Sequence, residues 1–263
     1  MIHFVTATLS EAMPIIDLFN LREYKSNTNF KIYHSDNKSL TISGIGKINS
    51  AMSVTQTFNE FNCVRNNTWI NVGLVGHKSR KIGEIFLVDK VIDSSSSKVY
   101  FPFVGFKEIK SSECVTYDKK DLNYNQSLSD MECSGFFYAT NKYGIKEFIN
   151  ILKIVSDNKK SSINFENKCE VYNLIDNKKK FILDLCEFTE KVKEGFEQDN
   201  LDKIDLQFEK QFQNIRFTFT QKQQMKSLLK LYFSQYRTLR KNIFDPKKNG
   251  AYNVKILKEF LKL

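Results

Sequence analysis

Asp130-Met131-Glu132-Cys133-Ser134-Gly135-Phe136 opens a stretch that closes on Lys153-Ile154-Val155-Ser156-Asp157. Between these ends the pattern reads as a helix from about Glu132 to Tyr143, then an apolar strand from Phe148 to Val155. Glu132 and Asp157 bracket the two elements, with Asp157 expected just past the strand. Ligands of open α/β sheets bind outside the carboxyl ends of strands, so both acids stand where a site can form. Glu11 has an equivalent place. Residues 2–7 read as a buried strand, and Ser10-Glu11-Ala12 opens a helix with Met13, Ile16, Phe19 and Leu21 as its apolar positions. Pro14 would suit the first turn of that helix, where a missing N–H matters least.

Residues 30–34 and 38–43 read as a short strand pair. Ser43-Gly44-Ile45-Gly46-Lys47 is a Gly-rich turn into a helix over about 47–61. Its free backbone N–H groups could hold a polar ligand group, although Gly-x-Gly before a helix is often only a tight turn. Trp69 to His77 reads as an apolar strand ending in a loop with Gly73 and Gly76; strands over 85–92 and 113–118 follow. Residues 164–194 read as a long amphipathic helix, with a break near Asp176-Asn177. Strands alternating with helices imply an α/β fold with a substantially parallel sheet. From about residue 196 the pattern becomes helical. One helix is expected over 221–241, with Met225, Leu228, Leu229, Tyr232, Tyr236 and Leu239 on a stripe, and a second has Val254, Leu257, Phe260 and Leu261 inward. The expected organisation is thus a domain over 1–195 and a basic helical extension over 196–263.

Composition narrows the function classes. The chain has 263 residues, 41% of them hydrophobic, enough to bury a core. Its net charge of +10 is unevenly placed. Residues 216–263 hold 12 Lys/Arg and 2 Asp/Glu, so the first 215 hold 28 of each sign (40 − 12 and 30 − 2). The neutral part does not resemble a nucleic-acid groove; the tail could contact one. The tail's bland reading, helices packed on the core or a sister subunit with a solvated lysine face, is preferred, and membrane binding is not expected. Five scattered Cys and three scattered His give no metal spacing and no disulfide framework. No cofactor or metal is called for. No apolar run approaches the roughly 20 residues that span a bilayer, and Met1-Ile2-His3-Phe4-Val5 enters a strand directly, so a cytoplasmic location is expected.

Four ordered segments carry a resemblance: Thr6-Ala7-Thr8-Leu9-Ser10-Glu11-Ala12, Ser43 to Lys47, Asn71-Val72-Gly73-Leu74-Val75-Gly76, and the pair Met131-Glu132 with Ser156-Asp157. Over about residues 1–195 the chain resembles the nucleoside phosphorylase/nucleosidase superfamily, most of all the 5′-methylthioadenosine/S-adenosylhomocysteine nucleosidases. The resemblance implies a three-layer α/β/α fold with a twisted central mixed sheet, and homo-oligomers, with a dimer favoured. It implies hydrolysis of the N-glycosidic bond of a purine nucleoside, with 5′-modified adenosine as the class.

Residue by residue, Glu11 would activate water and Asp157, after Ser156, would protonate the purine at N7. Glu132 would bind the ribose hydroxyls, Met131 would pack on the sugar, and Gly73 and Gly76 would pass close to it. The chemistry needs these types: bond cleavage leaves negative charge on the base and an oxocarbenium-like sugar, much as in glycoside hydrolysis. Asn71 and Leu74 stand where phosphorolytic members carry an arginine and a serine, which favours water, while Arg22 keeps phosphorolysis open as the alternative. A catalytically reduced, binding accessory is the alternative from another class. Only 41 residues (90–130) separate Asp89 from Met131, shorter than the family's segment, and Tyr117 is the candidate to stack on the base. Lys153 stands where relatives carry Arg.

Overall fold

The computed structural model describes residues 1–26, 28–199, 206, 208–210, 212–235 and 243–261. It divides into two compact units, Met1–Lys193 and Glu194–Leu263.

The first unit is built on one mixed sheet. Its strands are β1 (Ile2–Thr6), β2 (Arg22–Tyr24), β3 (Lys31–His34), β4 (Lys38–Ile42), β5 (Thr68–His77), β6 (Ile85–Asp93), β7 (Val99–Tyr100), β8 (Ser111–Thr116), β9 (Leu128–Asp130) and β10 (Ile149–Asn158). β1 lies parallel between β4 and β5, and β5 continues in parallel to β10. β10 then pairs antiparallel with β6, β6 parallel with β8, β8 parallel with β9, and β9 returns to β5 at Gly76–Ser129. Five strands therefore close on themselves, while β1, β4, β3 and β2 extend as an open wing.

Period-2 alternation sends side chains to opposite faces. Ile2 and Phe4 of β1, Ile70 and Val72 of β5, and Leu152 and Ile154 of β10 pack with Ile15 and Ile16 of α1 (Leu9–Phe19), Ile175 of α4 (Lys168–Asp176), and Ile182 and Leu185 of α5 (Lys179–Asp199). Val5, Trp69, Ile151 and Val155 face the other way. There they meet Val54 of α2 (Lys47–Glu60) and Phe136 and Phe137 of α3 (Cys133–Tyr143). These two apolar clusters make the expected three-layer α/β/α arrangement with its mixed sheet.

Some expectations are corrected. α1 begins at Leu9, because Thr8 and Glu11 form a capping box, so Pro14 falls inside the helix rather than in its first turn. Gly73 and Gly76 lie inside β5 and not in a loop after it; β10 runs beside β5 as far as the Asn158–His77 pair and keeps the backbone extended. Asp157 is likewise within β10, not past its end. The expected long helix is broken between Asp176 and Lys179, near the position anticipated.

In the second unit, helices Phe219–Gln235 and Gly250–Leu261 enclose an apolar cluster of Phe208, Phe212, Met225, Leu228, Leu229, Tyr232, Val254 and Leu257. The expected stripe positions Tyr236 and Leu239 lie outside the described residues.

α2 and α3 cross closely at Gly135. A Cβ built on Gly135 would stand 1.8 Å from the Lys47 carbonyl oxygen and 2.6 Å from its carbon. Backbone cannot yield as a side chain does, so even one methyl forces the helices apart. Gly135→Ala is expected to lower stability by about 3 kcal/mol, checked by urea denaturation; an unchanged midpoint would contradict the close crossing.

Candidate functional site

Glu11, Glu132 and Asp157 line one cavity of about 520 Å³. Ala7, Thr8, Ile45, Leu74, Gly76, Met131, Ser156, Phe165 and Val171 complete much of its wall.

Each acid is brought there by a local device. Glu11 is the third residue of α1. Its Oε2 accepts from the Thr8 amide at 2.8 Å and the Thr8 hydroxyl at 2.9 Å, and its Oε1 from the Leu74 amide at 3.2 Å. Three donors fix a side chain that is only 6% exposed. Asp157 owes its aim to a bulge. β10 pairs with β5 through Val155–Val75 and then Asp157–Gly76, so Ser156 is an extra residue. Such an insertion re-aims the side chains that follow. The Ser156 hydroxyl donates to Asp157 Oδ1 at 2.6 Å, and the Tyr124 hydroxyl to Oδ2 at 2.7 Å. The Lys120 ammonium lies 3.5 Å from the same Oδ2.

Glu132 stands at the N-terminus of α3 but does not cap it. Asp130 does: its Oδ2 accepts from the amides of Glu132 at 3.2 Å and Cys133 at 2.8 Å. Glu132 is thereby free to face the cavity, where its Oε1 accepts from the Gly46 amide at 2.9 Å. The Gly-rich turn thus spends that N–H on a protein carboxylate.

Beneath Glu132 lies a buried ion pair. Lys153 Nζ is 3.0 Å from Asp130 Oδ2, with side chains 1% and 0% exposed. The Thr116 hydroxyl donates to the other Asp130 oxygen at 2.8 Å. Burial pushes the Asp130 carboxyl up, but the Lys153 charge with the hydrogen bonds from Cys133, Lys153 and Thr116 outweighs it and holds this acid below the ordinary carboxyl range. Burial works against the Lys153 charge too, and the negative charge of Asp130 more than offsets it. Glu132 goes the other way. Burial, then the neighbouring Asp130 charge, raise it from 4.5 to about 7, with Lys153 and the Gly46 N–H restraining the rise and Glu11 adding to it.

The remaining candidates fall as follows. A Cβ on Gly76 would meet Ser129 Oγ at 2.9 Å and Asp157 Oδ2 at 3.3 Å, so this glycine lets the Asp157 carboxylate come close. Gly73 is not among the lining residues. A Cβ there would stand 2.9 Å from Lys153 Nζ and 3.6 Å from Glu11 Oε1, so its bareness makes room for the lysine. Tyr117 is also outside the lining: its amide donates to the Asp130 carbonyl at 2.8 Å and its hydroxyl accepts from Asn125 at 3.2 Å. The ring beside Asp157 is Tyr124, on the same short connection. Burial and the bond to Asp157 push its phenol up to about 12.

Sequence reasoning missed Asp130, Tyr124, Lys120 and Phe165. A second acid two residues before Glu132 was the one visible signal among them. Arg22 is on β2, at the far end of the open wing, and does not line the cavity. His77 accepts the Ser79 and Arg80 amides at Nδ1, each at 3.0 Å, and serves the backbone.

Among the described residues, the Cys114 and Cys133 thiols and the Asp130 carboxylate offer ligand atoms within 4.8 Å of one another. Burial raises both thiols, keeping them protonated, and Asp130 is engaged by Lys153. That donor set suits an internal hydrogen-bonded cluster better than a metal.

Comparison with protein-family models gives no match, and comparison with curated proteins gives none either. Comparison with solved structures does. The chain is similar to a 5′-methylthioadenosine nucleosidase of Arabidopsis thaliana, with 17% identity, a TM-score of 0.60, and coverage of 72% of this chain and 95% of that one. It is similar to an MTA/SAH nucleosidase, with 14% identity, a TM-score of 0.59, and coverage of 72% and 95%. It is also similar to the futalosine hydrolase of Helicobacter pylori, with 16% identity, a TM-score of 0.53, and coverage of 71% and 97%. At these identities the likeness establishes a shared fold.

The raised Glu132 has a signed consequence. A carboxyl whose folded-state value lies above its unfolded one loses stability as pH rises between the two, here from about 4.5 to about 7. Glu132→Gln is therefore expected to be more stable than the parent above pH 8, by about 1–3 kcal/mol, with no gain at pH 4. Lys153→Met should destabilise by about 3–5 kcal/mol, because it strands Asp130. Thermal melts across pH check both.

Proposed function

We propose that the protein hydrolyses the N-glycosidic bond of a purine nucleoside, with a 5′-modified adenosine as its substrate class. The convergence of three carboxyl groups on one cavity carries the reading. Water attacks C1′ of the ribose while Glu11 takes its proton. The C1′–N9 bond breaks and its electron pair passes to the base. Asp157 delivers a proton to N7, so the base leaves neutral. Glu11 ends protonated and Asp157 ionised, and exchange with solvent restores both. Glu132, as a carboxylate, accepts from the ribose hydroxyls and stabilises the cationic sugar. The Tyr124 hydroxyl holds Asp157 Oδ2 until the base takes that place.

Several observations support this assignment over phosphorolysis. The cavity-lining cation among the described residues is Lys120, beside Asp157 rather than Glu11. Asn71 donates to the Val5 carbonyl at 3.0 Å and Arg22 is remote from the cavity. Ile45, Phe165 and Val171 give the cavity an apolar portion suited to an apolar 5′-group. The nucleosidase and futalosine hydrolase neighbours support the same reaction type. A cytoplasmic homodimer belongs to the reading. The five cysteines are all free, and Ile48 and Met52 of α2, with Tyr138 of α3, leave apolar surface for a second copy. Among the described residues no helix is long and apolar enough to cross a membrane.

Methylthioadenosine, adenosylhomocysteine, 5′-deoxyadenosine and inosine should be incubated with purified protein, with and without phosphate. Free base should appear at the same rate in both; release that requires phosphate, or no release, would overturn the proposal. Glu11→Gln and Asp157→Asn should each lose about 10²–10⁴ in kcat. The rate should rise with pH as Glu132 ionises near 7.

A further inference from the structure

The chemistry proposed above uses no residue of the basic tail. Its charge is not spread evenly over the second unit. Residues 216–263 carry a net +10, and the described residues bring a share of it to one corner. The Gly250 amide donates to the Arg216 carbonyl at 3.2 Å, which joins the approach to one helix with the start of the other. Both helices begin there. Thr218 and Gln221 cap the first reciprocally, at 3.2 and 3.0 Å, and Asn249 accepts from the Tyr252 amide at 3.0 Å in the second. Arg216, Lys247 and Lys248 are exposed. So are two rings, Phe219 at 80% and Tyr252 at 41%, with Lys248 Nζ 5.8 Å from the centre of Tyr252. The acids nearby are Asp245, whose Oδ1 accepts the Lys247 amide at 2.9 Å, and Glu209, which lies 3.8 Å from Lys222 Nζ.

Exposed cations beside exposed aromatic rings combine the two features that hold an unpaired strand: charge for phosphates and π-faces for bases. A lipid surface is a poorer match. Membrane-surface helices need a free apolar face, and here Met225, Leu228, Leu229, Tyr232, Val254 and Leu257 are buried against one another. We propose that this corner binds single-stranded nucleic acid without reading its sequence, with Arg216, Lys247 and Lys248 on phosphates and Phe219 and Tyr252 stacked on bases.

The test is fluorescence anisotropy of the full-length chain with a labelled, mixed-sequence single-stranded DNA oligonucleotide. Engagement of three phosphates lowers affinity roughly 20-fold between 50 mM and 200 mM salt. The triple variant Arg216→Gln, Lys247→Gln, Lys248→Gln should weaken binding at low salt and reduce the salt slope by about two. Phe219→Ser with Tyr252→Ser should weaken binding about 10-fold or more while leaving the slope unchanged. Circular dichroism confirms that each variant keeps its helices; all five residues are exposed, so folding should not depend on them. No binding at 50 mM salt would overturn the proposal. So would full binding by the triple variant, equal affinity for duplex DNA, or stronger binding to phosphatidylglycerol vesicles.

Discussion

The floor of the site depends on a charge pair that water does not reach. Lys153 and Asp130 are both buried, 3.0 Å apart. Removing two charges from water is expensive, and such a pair is retained only where its hydrogen bonds are well satisfied. Here Asp130 is also the cap of α3 and the acceptor of the Thr116 hydroxyl. One carboxylate thus neutralises a cation, starts a helix and ties β8 to that helix. Because it performs the capping, Glu132 is left free to face the cavity. Gly73 belongs to the same constraint, since a side chain there would meet the lysine head.

This arrangement separates three acids that would otherwise resemble one another. Glu11 is fixed by three donors from the chain around α1 and β5. Glu132 has two amides, those of Gly46 and Met131, and a negative neighbour, and rises to about 7. Asp157 is held by two hydroxyl groups and flanked by a lysine. Different environments are how similar carboxyl groups take different roles in one cavity. The reaction proposed asks for three such acids, one each for a sugar, a base and a water.

Glu11 and Asp157 were legible because each follows or ends an apolar strand, and Glu132 because it joins them in a recognisable order. The layer architecture was legible for a similar reason: alternation in β1 and β10 and the apolar spacing of α1 are local patterns. What was not legible depends on distant partners. In Ile151-Leu152-Lys153-Ile154 nothing announces that the lysine head passes beneath Gly73 to reach Asp130. The pairing of β5 with β10 decides that Gly73 and Gly76 are strand rather than loop, and no local signal contains it. Tyr117 and Tyr124 lie on one short connection; only the path of that connection brings the Tyr124 hydroxyl, and not that of Tyr117, to Asp157.

The closed half of the sheet has a consequence for solubility. β5, β10, β6, β8 and β9 return on themselves, so each of the five has a neighbour on both sides. The open wing ends at β2, a strand of three residues, Arg22-Glu23-Tyr24, with its two charged residues exposed. Short, charged edges are poor templates for a foreign strand. An apolar sheet of this size would otherwise invite edge-to-edge aggregation; here the outermost strand at the end of the wing is the one least able to recruit another chain.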